Sequence, residues 1–189
     1  MKVKFKKLHE GAILPKKATE GSAAYDLYVA EDFIVEPGRT IIPLGFAMEM
    51  EPGYEALVDP RSGFSCRGME GYKIETMYEY EAPNGVTISG FYNPKMALSI
   101  HMRNCVTKKC MELEPKRFDC DVIEGKIDSD FRNGIGVIIH SRDKRTFLIK
   151  AGTRIAQMTF HKVEDVEWEE ADTLSETGRE GGFGSTGIN

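Results

Sequence analysis

The sequence predicts an all-β, antiparallel fold. Two observations carry this. Apolar residues recur at alternate positions in short runs, and the runs are punctuated by turn dipeptides such as Pro37-Gly38, Pro52-Gly53 and Asn84-Gly85. Alternation places successive side chains on opposite faces of a strand, and Gly- and Pro-containing pairs bend the chain back. A third observation agrees: helical periodicity is largely absent, which points to a sandwich or barrel.

Taken in order, Lys2 to Lys6 alternates lysine with Val3 and Phe5, a half-buried strand. Leu8 to Thr19 reads as a loop. Gly21 to Ala30 is a strand of small and apolar residues with Asp26 inside it. Phe33 to Val35 is a short strand. Ile42, Leu44, Phe46, Met48 and Met50 share one parity and predict one long strand, with Glu55 to Asp59 returning as its partner. A turn or two of helix is expected after Ser62, its backbone N–H groups facing a phosphate. Gly125 to Phe131, the turn Arg132-Asn133-Gly134 and Ile135 to Ile139 read as a β-hairpin. Phe147 to Ile149 and Arg154 to Val163 are further strands, the latter with Ile155, Gln157, Thr159 and His161 on one parity.

Length and charge narrow the function. A chain of 189 residues is expected to form one domain, 1–189. The net charge of −5 argues against direct nucleic-acid binding. No apolar run reaches membrane-spanning length, and the basic start at Met1 to Lys7 is not followed by a secretory core, so the expected location is cytoplasmic and off the membrane.

Five stretches carry chemistry: Ala24-Tyr25-Asp26-Leu27, Pro60-Arg61-Ser62-Gly63, Gly125-Lys126-Ile127-Asp128-Ser129-Asp130-Phe131, Gly152-Thr153-Arg154-Ile155-Ala156-Gln157 and Gly181-Gly182-Phe183-Gly184-Ser185-Thr186-Gly187. Their identity and order resemble the five motifs of the dUTPase family (dUTP pyrophosphatases). The resemblance covers both ends of the chain and fails in the middle. It implies a jelly-roll-like barrel and hydrolysis of dUTP to dUMP and pyrophosphate, which supplies dUMP for thymidylate synthesis and keeps uracil out of DNA.

Site roles follow from the same resemblance. Asp128 is implied to position and activate the water that attacks the α-phosphate. Arg61, Ser62, Gly63, Gln157, Arg179, Ser185 and Thr186 are implied to meet the phosphates, and Gly184 to lie with them in the arm. Backbone groups around Gly125, Ile127 and Gly136 would read uracil, Phe183 would stack on it, and Phe131 would lie beneath the sugar where the family commonly has Tyr. Mg²⁺ is implied, held by phosphates and water rather than by side chains, with Asp26 acting on it through water; Arg61 is also a candidate to pair with Asp26. A homotrimer with shared sites is implied, and residues 178–189 would be a flexible arm ordering over bound nucleotide. Three departures stand out: Ala24 replaces the usual Gly, Arg179 lies four residues before Phe183 rather than five, and Val122 falls near a position where some relatives have an amide side chain.

Residues 67–118 exceed the family's spacing between its second and third motifs. They are rich in aromatic and β-branched residues, so an ordered insertion is expected, with a hairpin across Asn84-Gly85 and a strand from Met96 to Met102. Cys66, Cys105, Cys110 and Cys120 lie in or beside it, with His101 nearby. Free thiols are the expectation, with a zinc site or a disulfide as alternatives. The insertion is also a candidate surface for a protein partner, so a nucleotide-responsive regulatory protein is the alternative function. A dCTP deaminase, which shares the barrel, would be expected to have Ser at position 63 and a Glu base.

Overall fold

The computed structural model describes residues 1–81, 87–91, 105–111 and 114–178, with side chains described for 1–74 and 114–178. Among the described residues, fifteen strands and one short helix run in the order β1 (Lys4–Lys7), β2 (Tyr25–Tyr28), β3 (Phe33–Val35), β4 (Gly38–Pro43), β5 (Phe46–Glu49), β6 (Tyr54–Asp59), α1 (Ser62–Arg67), β7 (Met69–Glu81), β8 (Thr87–Phe91), β9 (Cys105–Met111), β10 (Lys116–Phe118), β11 (Cys120–Ile123), β12 (Gly125–Ile127), β13 (Gly136–Ser141), β14 (Phe147–Ile149) and β15 (Arg154–Lys162). They form four antiparallel sheets, as expected for the all-β class: β1-β5, β10-β7-β14-β3 with β8 and β9 also on β7, β11-β13-β4, and β12-β6-β15-β2. No helix among the described residues is long and apolar enough to cross a membrane.

The alternating residues do what their parity predicts. Ile42, Leu44, Phe46, Met48 and Met50 are all buried in one apolar cluster with Leu27, Val58, Val137, Ile139 and Ile149. The long strand expected over these residues is nevertheless two strands. At Gly45 the backbone takes φ +71, and its carbonyl accepts the N–H groups of Leu8 and His9. A Cβ there would come within 2.8 Å of His9, so the break requires glycine. β5 then pairs with β1, and β4 with β13. Nor does β6 return against β5; its partners are β12 and β15.

The expected central hairpin is also corrected. Its two arms lie in different sheets: β12 pairs with β6, and β13 lies between β11 and β4. Alternation fixes which face of a strand is apolar but not which strand lies beside it. Both arms bury alternate residues in the common core, Ile127 from one sheet and Val137 and Ile139 from another.

The stretch 67–118 is rooted in the body. The start of β7 pairs with β10 and β14, and Met69, Gly71 and Phe118 are buried there. Phe118 stacks on Phe147 with ring centroids 4.0 Å apart. Farther along, β7 continues as the central strand between β8 and β9. The expected hairpin pairing is present, Tyr80 opposite Ile88, while the turn at Asn84-Gly85, the Met96 to Met102 stretch and His101 lie outside the described residues.

Candidate active site

The chain leaves β12 at Ile127 and turns at once. The Asp128 carbonyl accepts the N–H of Phe131 at 3.1 Å, and Arg132 Nη1 donates to the carbonyls of Ser129 (2.6 Å) and Phe131 (3.1 Å). This fixes a tight loop beside a pocket of about 180 Å³ lined by Gly125, Ile127, Asp128, Phe131 and Gly136, with Val58 and Ile138 behind. The Asp128 carboxylate is exposed and has no hydrogen bond or ion pair among the described residues. Lys126 does not neutralise it. Its ammonium lies 2.6 Å from Glu55, and that hydrogen bond, with the Asp128 charge as a smaller contribution, pushes the Lys126 pKa up. Asp128 is left as an open acceptor, able to hold one water.

The backbone around this pocket is unusual in one respect. β12 is the outer strand of its sheet, so alternate N–H and C=O groups point away from β6. β11 pairs with β13 from Ile138 to Ser141, which leaves Gly136 and Val137 unpaired with β11. Two short lengths of open strand edge thus border the pocket. They present donors and acceptors in the spacing of a strand, suited to a flat heterocycle with its own edge donors and acceptors.

A second cluster forms on the sheet β12-β6-β15-β2. Asp26 on β2 is buried in a mostly apolar strand, and two guanidiniums compensate it. Arg61 Nε lies 2.8 Å from Oδ1, and Arg154 Nη1 donates to Oδ2 at 3.1 Å. Arg61 precedes α1 in extended conformation, and its carbonyl accepts the N–H groups of Phe64 and Ser65 at 2.9 Å. Phe64, buried, anchors the helix. Gln157 sits opposite Asp26 on one side and Asp59 on the other.

Arg154 and Gln157 are three apart, so a regular strand would face them oppositely. The register of β15 against β2 shifts between Arg154 and Ala156, and consecutive residues Ile155 and Ala156 are both fully buried. This bulge turns Arg154 towards Asp26. It also breaks the expected parity, putting Ile155 in the core while Gln157 is half-buried.

Beside this cluster is a pocket of about 310 Å³ lined mainly by polar groups, including Arg61, Gly63, Arg67, Glu70, Arg117 and Arg154. The dUTPase family model matches residues 10–108 and 71–187. The chain belongs to the dUTPase family. Among its relatives is the deoxyuridine 5'-triphosphate nucleotidohydrolase of Nautilia profundicola, 32% identical over 189 residues, covering 99% of each chain. That of Gloeothece citriformis is 31% identical, covering 100% of this chain and 98% of the relative. Among solved structures, the Staphylococcus bacteriophage 80alpha dUTPase with dUpNHpp superposes with TM-score 0.65 at 20% identity, covering 99% of each chain. A phage phi11 dUTPase mutant, described with a structural Mg(II) ion, superposes with TM-score 0.59 at 16% identity, covering 92% of this chain and 99% of its own.

The four dUTPase motifs among the described residues divide spatially. Gly125, Ile127, Asp128, Phe131 and Gly136 converge on the first pocket. Asp26, Arg61 and Gln157 belong to the second cluster, and Arg61 and Gly63 line its pocket. Neither pocket shares a lining residue with the other. Ser62 is exposed at the start of α1 and lines neither. Arg179, Phe183, Gly184, Ser185 and Thr186 lie outside the described residues, while residues 164–178 lead towards them with Trp168 90% exposed. Sequence reasoning passed over Arg154, although it lies inside a dUTPase motif, and Arg67 and Arg117, which lie outside all of them. Cys66 is an exposed and Cys120 a buried free thiol; Cys105 and Cys110 lie on β9 with side chains outside the description.

Proposed function

We propose that the chain hydrolyses dUTP to dUMP and pyrophosphate. The observation that carries this reading is the convergence of Gly125, Ile127, Asp128, Phe131 and Gly136 on one pocket, in a chain matched along its full length by nucleotidohydrolases of dUTP. Asp128 accepts a hydrogen bond from a water and holds it in line with the α-phosphorus. The water oxygen bonds to that phosphorus, its proton passes to the carboxylate, and the bond to the bridging oxygen breaks to release pyrophosphate. A carboxylate of modest basicity acts here chiefly by positioning.

The open edges of β12 and of Gly136 supply hydrogen bonds for uracil, and Ile138 and Val58 give apolar walls. The Phe131 ring, 39% exposed, lies where a deoxyribose would rest and a 2′-hydroxyl would crowd. Phosphates meet Arg61, Ser62, Gly63 and Gln157, and the arm brings Arg179, Phe183, Gly184, Ser185 and Thr186 over the nucleotide, Phe183 stacking on the base.

The donor set fits a cation that arrives with the triphosphate. Among the described residues no three His, Cys, Asp or Glu side chains converge, and the basic pocket offers guanidiniums, which bind phosphate oxygens and not metals. Mg²⁺ so carried would neutralise charge on the phosphates, while Asp26 orders the Arg61 and Arg154 guanidiniums beside them. The two separate pockets and the exposed segment 164–178 support sites shared within a homotrimer, the arm of one chain closing over a site on others. The location proposed is cytoplasmic.

The test is pyrophosphate release from dUTP, dTTP, dCTP and UTP in parallel, with Mg²⁺ and with chelator. Release from dUTP alone, lost with chelator, is the expected result. Equal release from all four, or none from dUTP, would overturn the reading.

A further inference from the structure

Three of the four arginines lining the basic pocket are already engaged. Arg61 and Arg154 share Asp26, and Arg117 lies 2.9 Å from the Glu70 carboxylate and donates to the Gly68 carbonyl at 3.3 Å. Arg67 is different. It ends α1, is exposed, and among the described residues has no ion pair or hydrogen bond. Its guanidinium folds back along the helix towards the pocket: a Cβ built on Gly63 would lie 3.3 Å from Arg67 Nη2. An unpartnered guanidinium held beside three others experiences like-charge repulsion that solvent alone would relieve better. Four guanidiniums face two carboxylates, so the pocket carries an unbalanced positive charge awaiting an anion.

We infer that Arg67 is a specificity-determining residue that holds the pyrophosphate end of the nucleotide, with Arg117 forming the opposite wall of the same pocket. The planar fork of a guanidinium matches two phosphate oxygens, and Arg67 is one helical turn from Ser62 and Gly63, where the motif places phosphates. Arg117 reaches the pocket from β10, which pairs with the start of β7, so the wall is built partly by the end of the stretch 67–118. Arg67 thereby favours a triphosphate over a diphosphate and slows release of pyrophosphate. The inference rests on the dUTP-hydrolysis reading.

The experiment uses the full chain and inorganic pyrophosphate with Mg²⁺, followed by calorimetry, with dUMP affinity as a control that reports the other pocket. Arg67→Gln is expected to weaken pyrophosphate binding about 10- to 100-fold, the loss of one charged hydrogen-bonding group. dUMP affinity should change by less than about twofold. Arg67→Lys should recover part of the loss, and KM for dUTP should rise more than the inhibition constant of dUDP as a competitor. Pyrophosphate affinity unchanged in Arg67→Gln would overturn the inference, as would parallel loss of dUMP affinity, which marks a merely structural effect. Parent protein that binds pyrophosphate through Arg67 but releases none from dUTP would overturn the hydrolysis reading and leave the anion site standing.

Discussion

Arg61 Nε lies 2.8 Å from Oδ1 of Asp26, joining two stretches of the chain that are far apart in sequence. The carboxylate side chain is 9% exposed and the guanidinium 28%, so the pair is well shielded from water. Arg154 completes a bridge of two cations on one anion. Two guanidiniums compensate the buried carboxylate, and the carboxylate in turn holds each arginine in place.

Asp26→Asn tests this arrangement. It removes the charge with little change of shape and leaves two guanidiniums facing one amide. The expected loss of stability is about 1–3 kcal/mol by urea unfolding, the range for a hydrogen bond to a charged group. KM for dUTP should rise while dUMP affinity is kept. Unchanged stability and KM would mean that the bridge orders nothing.

The stretch 67–118 can be cut in two ways with opposite outcomes. Met77 lies opposite Lys108 across β7 and β9, so excising 78–107 and closing the gap with Asn-Gly joins ends that are already neighbours. That variant should fold and keep dUTP turnover. Excising 67–118 removes Met69 and Phe118 from the core, together with the stack on Phe147. The loss of one such ring alone costs about 3–5 kcal/mol. Against a domain stability of about 5–15 kcal/mol, the wider excision should leave no cooperative melt. A melt like the parent's in the wider excision would contradict the placement of these strands in the body.

Much of the fold can be read from faces. Val3 and Phe5, the series from Ile42 to Met50, and Phe147 with Ile149 all point inward as alternation requires. Strand partners are a long-range property, and local periodicity carries no information about them; hence the misread pairing of the central arms and of β6. The site follows the same division. Asp128, Phe131 and the glycines around them lie close in sequence and meet in one pocket, whereas Arg154 reaches Asp26 through a bulge that leaves no mark in the pattern. Arg67 and Arg117 meet because β10 pairs with β7 directly after α1. Gly68 permits that junction: its φ is +71, and a Cβ there would lie 2.2 Å from the Phe118 carbonyl.

The two described thiols should differ in reactivity. Cys66 is exposed, while burial pushes the Cys120 thiol up and hinders access to it. Iodoacetamide on the folded protein, read by peptide mass, should modify Cys66 at least about tenfold faster than Cys120. Denaturant should remove the difference. Equal rates in the folded protein would contradict the burial of β11.

The central claim is that Asp128 positions the attacking water and contributes little to nucleotide binding. The direct measurement is Asp128→Asn, with turnover of dUTP and affinity for the non-hydrolysable α,β-imido analogue taken on the same preparation. Turnover should fall by about 10²–10⁴-fold, the usual contribution of a positioned base. Affinity for the analogue should stay within about threefold of the parent, because an interaction made in the transition state alone leaves ground-state binding intact. Near-normal turnover in this variant would contradict the assignment of the base and, with it, the account of the pocket.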